Sequence, residues 1–149
     1  MDKSLLIESA RALEKVSAEA TEEYSQKSDS LAEAVSDALL LREDLTALIG
    51  PNNLAMMKDN HANHARFIAS ILQHPNPEVL VESVLWVFRA YRNHGFSTNY
   101  WAAQLNAWFG ILPQELSETA WAEIRPYYHW LQVNIPLFAA LTDQPRKGN

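Results

Sequence analysis

An all-α fold is predicted by three features of the sequence. Apolar residues recur at steps of three and four along most of the chain, which is the spacing of one buried helix face. Glycine occurs only 4 times, and no segment alternates convincingly between apolar and polar residues as a half-buried strand does. Helix start and stop signals separate the periodic segments. The 149 residues fit one domain with a sizeable core.

An amphipathic helix is predicted at the N-terminus, within residues 1–28. Ser4 can cap it, because a serine hydroxyl accepts a hydrogen bond from a free amide of the first turn. Its apolar residues lie near one face, with Glu and Lys opposite. The polar run QKSDS, residues 26–30, should end this helix, and Asp29 or Ser30 should cap the next one.

The second helix should reach about residue 42 and be followed by a short helical turn, Leu45–Ile49. A glycine-proline pair that begins at Gly50 stops this turn. The third long helix covers residues 53–73 and ends before Pro75.

The fourth long helix, Pro77–Asn93, is predicted to be central and buried. Asn76 caps it, with proline at the first helical position. The helix is apolar around most of its girth, which is typical of a helix inside a bundle. Gly95 ends it as a C-cap glycine, and Ser97 then caps a fifth helix over residues 98–112.

Prolines divide the C-terminal part of the chain. Pro113 should end the fifth helix, and Ser117 should cap the last one. Pro126 and Pro136 interrupt the apolar stripe of this last helix, and each lacks an amide donor, so we expect a kink or a restart at both. Residues 142–149 form a polar tail.

The composition excludes several classes of function. A formal net charge of -6 disfavours nonspecific binding to nucleic acid. Without cysteine, the chain has no disulfide, no thiolate catalyst and no cysteine-ligated zinc. No uncharged apolar stretch is long enough to span a membrane, and no secretory signal begins the sequence. We therefore expect a single cytoplasmic domain over residues 1–149, without a membrane or nucleic-acid partner.

Two histidines occupy an apolar helix stripe, which makes them candidate site residues. Because His61 and His64 are three residues apart, both rings leave the same helix face. They could ligate one metal, stand beside a haem or another flat ligand, or be buried and satisfied by polar neighbours. A metal site lacks partners such as an HExxH motif, and a phosphotransfer histidine would need to face solvent. The stripe consists of Leu54, Met57, His61, His64, Ile68 and Ile71.

Tyr91 lies in the last turn of the fourth long helix, within FRAYRNHGF. It is either a core tyrosine whose hydroxyl reaches a polar edge, or a phenol that faces a pocket or an iron ion. Nearby aromatic residues either line a cavity for a flat ligand or fill a helical core. No catalytic motif is visible, so no catalytic residue is predicted. The candidate pocket residues are His61, His64, Tyr91, His94, Met57, Phe88 and Trp101.

The segment YRNHGFSTNYWAAQLNAWFGIL, residues 91–112, resembles the globin-coupled sensor proteins. In that family a buried helix ends at a glycine and a hydrophobic residue, here Gly95 and Phe96. An aromatic pair, which begins here at Tyr100, then opens the next helix. The resemblance implies a globin-like sandwich of six main helices, and an antiparallel helical bundle is the alternative.

The family's haem-binding histidine lies four residues before the glycine, where this chain has Tyr91. The family's relatives include haem-free globin-fold domains that regulate stress-signalling complexes. The tyrosine therefore implies no haem, haem held by tyrosinate, or haem held by another residue such as His94. The resemblance places His61 and His64 on the distal wall. We expect no cofactor, with haem as the alternative.

The sequence and the resemblance together predict a small sensory or regulatory protein that is not an enzyme. An apolar pocket is expected between the third and fourth long helices. Signals would pass through this pocket or through a homodimer formed by the last two helices, with a partner protein as output. A haem-binding gas sensor and a purely structural interaction module are the alternatives.

Overall fold

The computed structural model describes residues 3–143, which form eight α-helices and no strand. The all-α class is therefore confirmed, with more helices than the six main ones expected. The polar tail predicted over residues 142–149 lies outside the described residues from residue 144 onward. In chain order the helices are α1 (Lys3–Arg11), α2 (Ala18–Leu40), α3 (Leu45–Ile49), α4 (Leu54–Gln73), α5 (Pro77–Asn93), α6 (Asn99–Glu115), α7 (Glu118–Val133) and α8 (Ile135–Thr142).

The longest helix, α2, takes the central place that was predicted for α5. Helix α2 packs against α4, α6 and α7, whereas α5 packs mainly against α1 and α8. The prediction that α5 is central and buried around most of its girth is wrong, because Trp86 is 65% exposed and Val79 is 46% exposed. The apolar residues of α5 lie on three surfaces: a face that packs against other helices, the wall of a cavity, and the solvent-exposed surface.

The N-terminal helix boundaries differ from the prediction. The amphipathic helix expected within residues 1–28 is interrupted, since α1 ends at Arg11 and α2 begins after Ser17. The Ser17 hydroxyl accepts a hydrogen bond from the Ala20 amide and donates one to the Glu123 carboxylate. This cap is anchored to α7 and therefore sets where α2 starts.

The polar run of residues 26–30 lies in the middle of α2 and does not break it. Ser28 and Ser30 each donate a hydroxyl hydrogen bond to a backbone carbonyl three residues earlier. Their hydroxyls are therefore satisfied inside the helix, and neither Asp29 nor Ser30 is a cap. Buried residues on either side of the run hold it helical through tertiary packing, which overrides weak propensity.

Most of the later capping predictions are confirmed. Asn76 and Ser117 accept hydrogen bonds from the amides three residues further on, as N-caps do. Ser97 accepts from the Asn99 amide, although the N-cap position itself is Thr98.

Of Pro113, Pro126 and Pro136, only Pro136 coincides with a helix break. Pro136 lies in the first turn of α8, directly after the break that ends α7, so the predicted restart is confirmed there. Pro126 lies inside α7, and Pro113 lies inside α6, which continues to Glu115. The prediction that Pro113 ends its helix is wrong. A proline near a helix end removes only one intrahelical hydrogen bond, and neighbouring packing outweighs that loss.

A backbone corner joins the start of α4 to the end of α5. The Asn53 side-chain amide donates to the His94 carbonyl at 2.7 Å. Gly50 and Gly95 both have positive φ, at 83° and 100°, and a Cβ on Gly50 would lie 3.1 Å from the Gly95 carbonyl oxygen. Because residues 74–76 join the opposite ends of the two helices, α4 and α5 are connected at both ends.

Candidate functional site: a cavity between α4 and α5

A cavity of about 780 Å³ lies between α4 and α5 and extends to α6, α7 and α8. Small-molecule sites in proteins commonly have volumes of roughly 300–1,000 Å³ and mostly apolar walls. Lys3 and Glu82 form an ion pair in the wall, with 45% and 59% of their side chains exposed, so they mark its opening. The apolar wall comprises Phe67, Val84, Leu85, Val87, Phe88, Trp101, Leu105, Leu131, Ile135, Phe138 and Leu141.

Aromatic contacts hold one side of the cavity in place. Phe88 stacks on Trp101 with ring centroids 4.4 Å apart, and Phe138 packs edge-on against Phe88 at 5.2 Å. Tyr91 meets the same indole edge-on at 5.9 Å. These contacts join α5, α6 and α8 into one wall. The Trp101 indole nitrogen is buried and has no hydrogen-bond partner within the described residues.

A chain of buried hydrogen bonds lies at the other side of the cavity. Trp108 Nε1 donates to Gln104 Oε1 at 3.0 Å, and Gln104 Nε2 donates to Asn60 Oδ1 at 2.8 Å. The Tyr100 hydroxyl donates to the same Asn60 oxygen at 2.7 Å. Tyr100 Oη also lies 2.9 Å from His61 Nε2. The chain therefore runs from α6 through α4 and reaches the first of the two histidines.

The direction of this chain fixes the proton on His61. An indole nitrogen can only donate a hydrogen bond, so Trp108 Nε1 donates to Gln104 Oε1, and this assigns the donor and the acceptor of each following hydrogen bond. Because Tyr100 gives its single proton to Asn60, His61 Nε2 must donate to Tyr100. His61 Nδ1 then accepts from the Ser36 hydroxyl, 2.8 Å away. Burial lowers the pKa of His61 to about 4, so this ring is neutral and both its nitrogens are used.

Within residues 3–143, only one of the two His64 nitrogens is bonded to protein. Its Nε2 lies 2.9 Å from the Tyr128 hydroxyl, which in turn lies 2.6 Å from the Tyr24 hydroxyl. The ring is half-buried and forms part of the cavity wall. Desolvation, with repulsion from His61 as a smaller cause, lowers the pKa of His64 to about 3. The ring is therefore neutral at physiological pH.

Tyr91 lies across the cavity from His64, on α5. Its side chain is 8% exposed and lines the cavity. Burial raises the pKa of the Tyr91 phenol above its ordinary value, so the hydroxyl keeps its proton at neutral pH. Tyr91 is therefore a neutral polar group of the cavity wall, next to the Asn60 side chain.

The structure brings some predicted pocket residues together and separates others from them. Met57 and His61 are fully buried and are not part of the cavity wall. His94 is exposed at the end of α5, where its Nδ1 lies 2.9 Å from the Ala90 carbonyl oxygen. The candidates that line the cavity are His64, Tyr91, Phe88 and Trp101.

The polar partners of the histidines were not predicted. Asn60 and Gln104 line the cavity, and Tyr128 and Tyr24 lie behind His64. One signal was available for Gln104, because it sits at helical spacing between Trp101 and Trp108 on the apolar face of α6. An amide at such a position needs a buried partner.

Few of the predicted iron ligands are free to bind haem iron. Both nitrogens of His61 and Nε2 of His64 are engaged with protein groups, which leaves His64 Nδ1 as the histidine nitrogen available at the cavity within the described residues. His94 does not line the cavity, and burial favours the neutral phenol of Tyr91 over the tyrosinate that iron would need. Within residues 3–143, no three histidine or carboxylate side chains are grouped so that they could hold a metal ion.

No protein-family model, curated protein or solved structure matches this chain. No helix in the described part of the chain combines the length and apolarity needed to cross a membrane.

Proposed function

We propose that this protein is a small regulatory protein that binds a largely apolar molecule in the cavity between α4 and α5. The cavity itself carries the proposal, since its volume of about 780 Å³ and its apolar wall suit a small organic ligand. A globin-like arrangement, in which two helices hold a ligand between them, is part of this proposal. The ligand would occupy the place where the resemblance implies haem.

The proposed role is binding rather than catalysis. The titratable groups in the inner wall are His64 and Tyr91, and burial keeps both neutral near pH 7. A general acid or base works best when its pKa is close to the working pH. The pKa of His64, about 3, is far below that range, and the pKa of Tyr91 is shifted above its ordinary value.

Ligand binding would act through the position of α5. Helix α5 packs mainly on α1 and α8, and the cavity separates much of it from α4. A molecule that contacts both walls would couple these helices and shift the population of α5 positions. A homodimer through the last two predicted helices, which correspond to α6 and to α7 with α8, and a partner protein that receives the signal, remain predictions within this proposal. Val133, 54% exposed at the end of α7, is one apolar residue available there.

The proposal is tested with a neutral apolar fluorophore, N-phenyl-naphthylamine. We expect its fluorescence to rise on mixing with the protein, and the melting temperature to rise with dose. Leu105→Trp, which places an indole ring inside the cavity, should weaken both effects. Leu41→Trp is the matched control, because Leu41 is 85% exposed and is not in the cavity wall. No dose-dependent change in the unmodified protein would favour a purely structural interaction module.

A haem-binding sensor is the second candidate, and one observation favours it: a histidine and a tyrosine face the same cavity from opposite helices. The ligand set described above argues against it. We therefore expect hemin, if it enters the cavity, to show an absorption spectrum that is unchanged by Tyr91→Phe. A sharp Soret band that disappears in Tyr91→Phe would replace the proposed haem-free ligand with haem.

A further inference from the structure

The unbonded nitrogen of His64 is the feature that specifies the ligand. His64 Nδ1 has no hydrogen-bond partner within the described residues, and the ring lines the cavity. Trp101 is the only described residue with a fully buried, unpartnered side-chain nitrogen or oxygen, so His64 Nδ1 is accessible rather than sealed. Whether this nitrogen carries a proton decides what kind of group it can bind.

The hydrogen bonds of the Tyr24–Tyr128 pair determine which His64 nitrogen carries the proton. Tyr24, Tyr128 and His64 Nε2 form one line of two hydrogen bonds. If His64 Nε2 donated to Tyr128, then Tyr128 would donate to Tyr24, and the buried Tyr24 proton would have no acceptor. Leaving a buried hydroxyl without a hydrogen-bond partner is costly. In the opposite sense Tyr24 donates to Tyr128 and Tyr128 donates to His64 Nε2, which leaves every buried proton bonded. His64 therefore carries its proton on Nδ1, at the cavity.

Hydrogen bonds within the protein already use several acceptors of the wall. Asn60 Oδ1 accepts two hydrogen bonds from protein donors, and the side-chain oxygens of Asn63 and Gln104 each accept one. A ligand carbonyl oxygen needs only the His64 donor, whereas a ligand hydroxyl would also need an acceptor for its own proton. Three charged side chains line the cavity: Lys3 and Glu82, which pair with each other, and the partly buried Arg89.

We propose that the cavity binds an uncharged, lipid-like ketone or ester whose carbonyl oxygen accepts a hydrogen bond from His64 Nδ1–H. This inference rests on the proposed function and narrows it to one ligand class. The apolar chain of the ligand would lie against Phe88, Trp101 and Leu105, and no ionic partner is needed. A carboxylate is the competing ligand, and it would be drawn to Arg89, which has no carboxylate partner within residues 3–143.

Three probes of matched chain length separate these ligand classes: 2-decanone, decane and decanoic acid. We expect 2-decanone to bind about tenfold more tightly than decane, which corresponds to one additional hydrogen bond. In His64→Phe, which keeps a planar ring without a donor, this preference should be lost, and decane should bind at least as tightly, because the buried carbonyl then gives up its hydrogen bonds to water without replacement. His129→Phe is the matched control, because His129 is exposed on α7 and should leave the tenfold preference intact. Affinities are measured by displacement of N-phenyl-naphthylamine.

The proton position is measured independently of any ligand or variant. Long-range proton–nitrogen NMR spectra of histidine-labelled protein should show His64 protonated at Nδ1 and His61 protonated at Nε2. A spectrum with His64 protonated at Nε2 overturns the inference, even if His64→Phe does not fold.

The binding experiment can contradict the carbonyl inference without contradicting the proposed function. Equal binding of 2-decanone and decane to the unmodified protein overturns the carbonyl inference and leaves an apolar binding protein. Tighter binding of decanoic acid that is lost in Arg89→Gln also overturns the carbonyl inference. That result would assign the ligand head group to Arg89. If none of the probes binds, both the inference and the proposed function fail.

Discussion

His61 and His64 lie three residues apart on one face of α4, yet their surroundings differ in kind. Both nitrogens of His61 bond to protein, through Ser36 of α2 and Tyr100 of α6. His64 has one nitrogen on Tyr128 of α7 and the other free at the cavity. The difference arises because α2 and α6 close over His61, whereas a cavity separates His64 from α5. Hydrogen-bond partners, and not position on the stripe, separate a structural histidine from a candidate ligand contact.

The largest expected effect distinguishes the two histidines by stability. His61→Ala removes a fully buried ring and leaves the Ser36 and Tyr100 hydroxyls with one partner fewer. We expect the free energy of unfolding to fall by about 4 kcal/mol. His64→Ala should lower it by only about 1 kcal/mol, because it enlarges an existing cavity and removes one hydrogen bond. Urea denaturation measures both, and equal losses would remove the distinction.

The two histidines should contribute in the same direction to the pH dependence of the free energy of unfolding. Both have folded-state pKa values below the usual 6.5, at about 4 and about 3. Below pH 6.5 the unfolded chain therefore binds protons that the folded protein does not, and stability falls as the pH falls. From about pH 6.5 to about pH 5 we expect a loss of about 3 kcal/mol, roughly half of it from each ring.

Urea denaturation across this pH range measures the loss. His64→Gln should remove about half of it, and the exposed control His129→Gln should leave it unchanged. A stability profile without slope between these pH values would show that the rings are protonated in the folded protein.

The smallest expected effect concerns Tyr128, whose hydroxyl group keeps the His64 proton on Nδ1, at the cavity. Tyr128→Phe removes the donor to His64 Nε2 and should lower the free energy of unfolding by about 1 kcal/mol. Without that donor, the His64 proton should move in part from Nδ1 to Nε2, as proton–nitrogen NMR spectra would show. Ser36→Ala is the control, because Ser36 contacts His61 and should leave the His64 proton in place. An unchanged His64 spectrum in Tyr128→Phe would show that another group sets the proton position.

The fold was predictable where local chemistry decides it. Asn76 and Ser117 cap their helices as their sequence context indicates, and the boundaries of α5 follow from Pro77 and Gly95. The break before α2 was not predictable in the same way. Ser17 caps α2 while it is bonded to Glu123, a residue more than a hundred positions away, and nothing local marks that contact.

In the candidate site, too, local spacing predicted some features, and contacts between helices decided the others. Periodicity placed His64 and Tyr91 on helix faces, and the structure brings both to one cavity. The separation of His61 from that cavity depends on Ser36 and Tyr100, which come from two other helices. Side-chain partners across helices depend on packing, so helical spacing alone cannot assign them.

The corner between Asn53 and His94 has a consequence for how fast a ligand exchanges. Because α4 and α5 are joined there and again by residues 74–76, we expect them to resist separating about a hinge at one end. We expect entry at the opening, beside the Lys3–Glu82 pair and the exposed Trp86 side chain. We therefore expect a ligand to arrive and leave slowly for its affinity, and Asn53→Ala to shorten its residence time more than it weakens its binding.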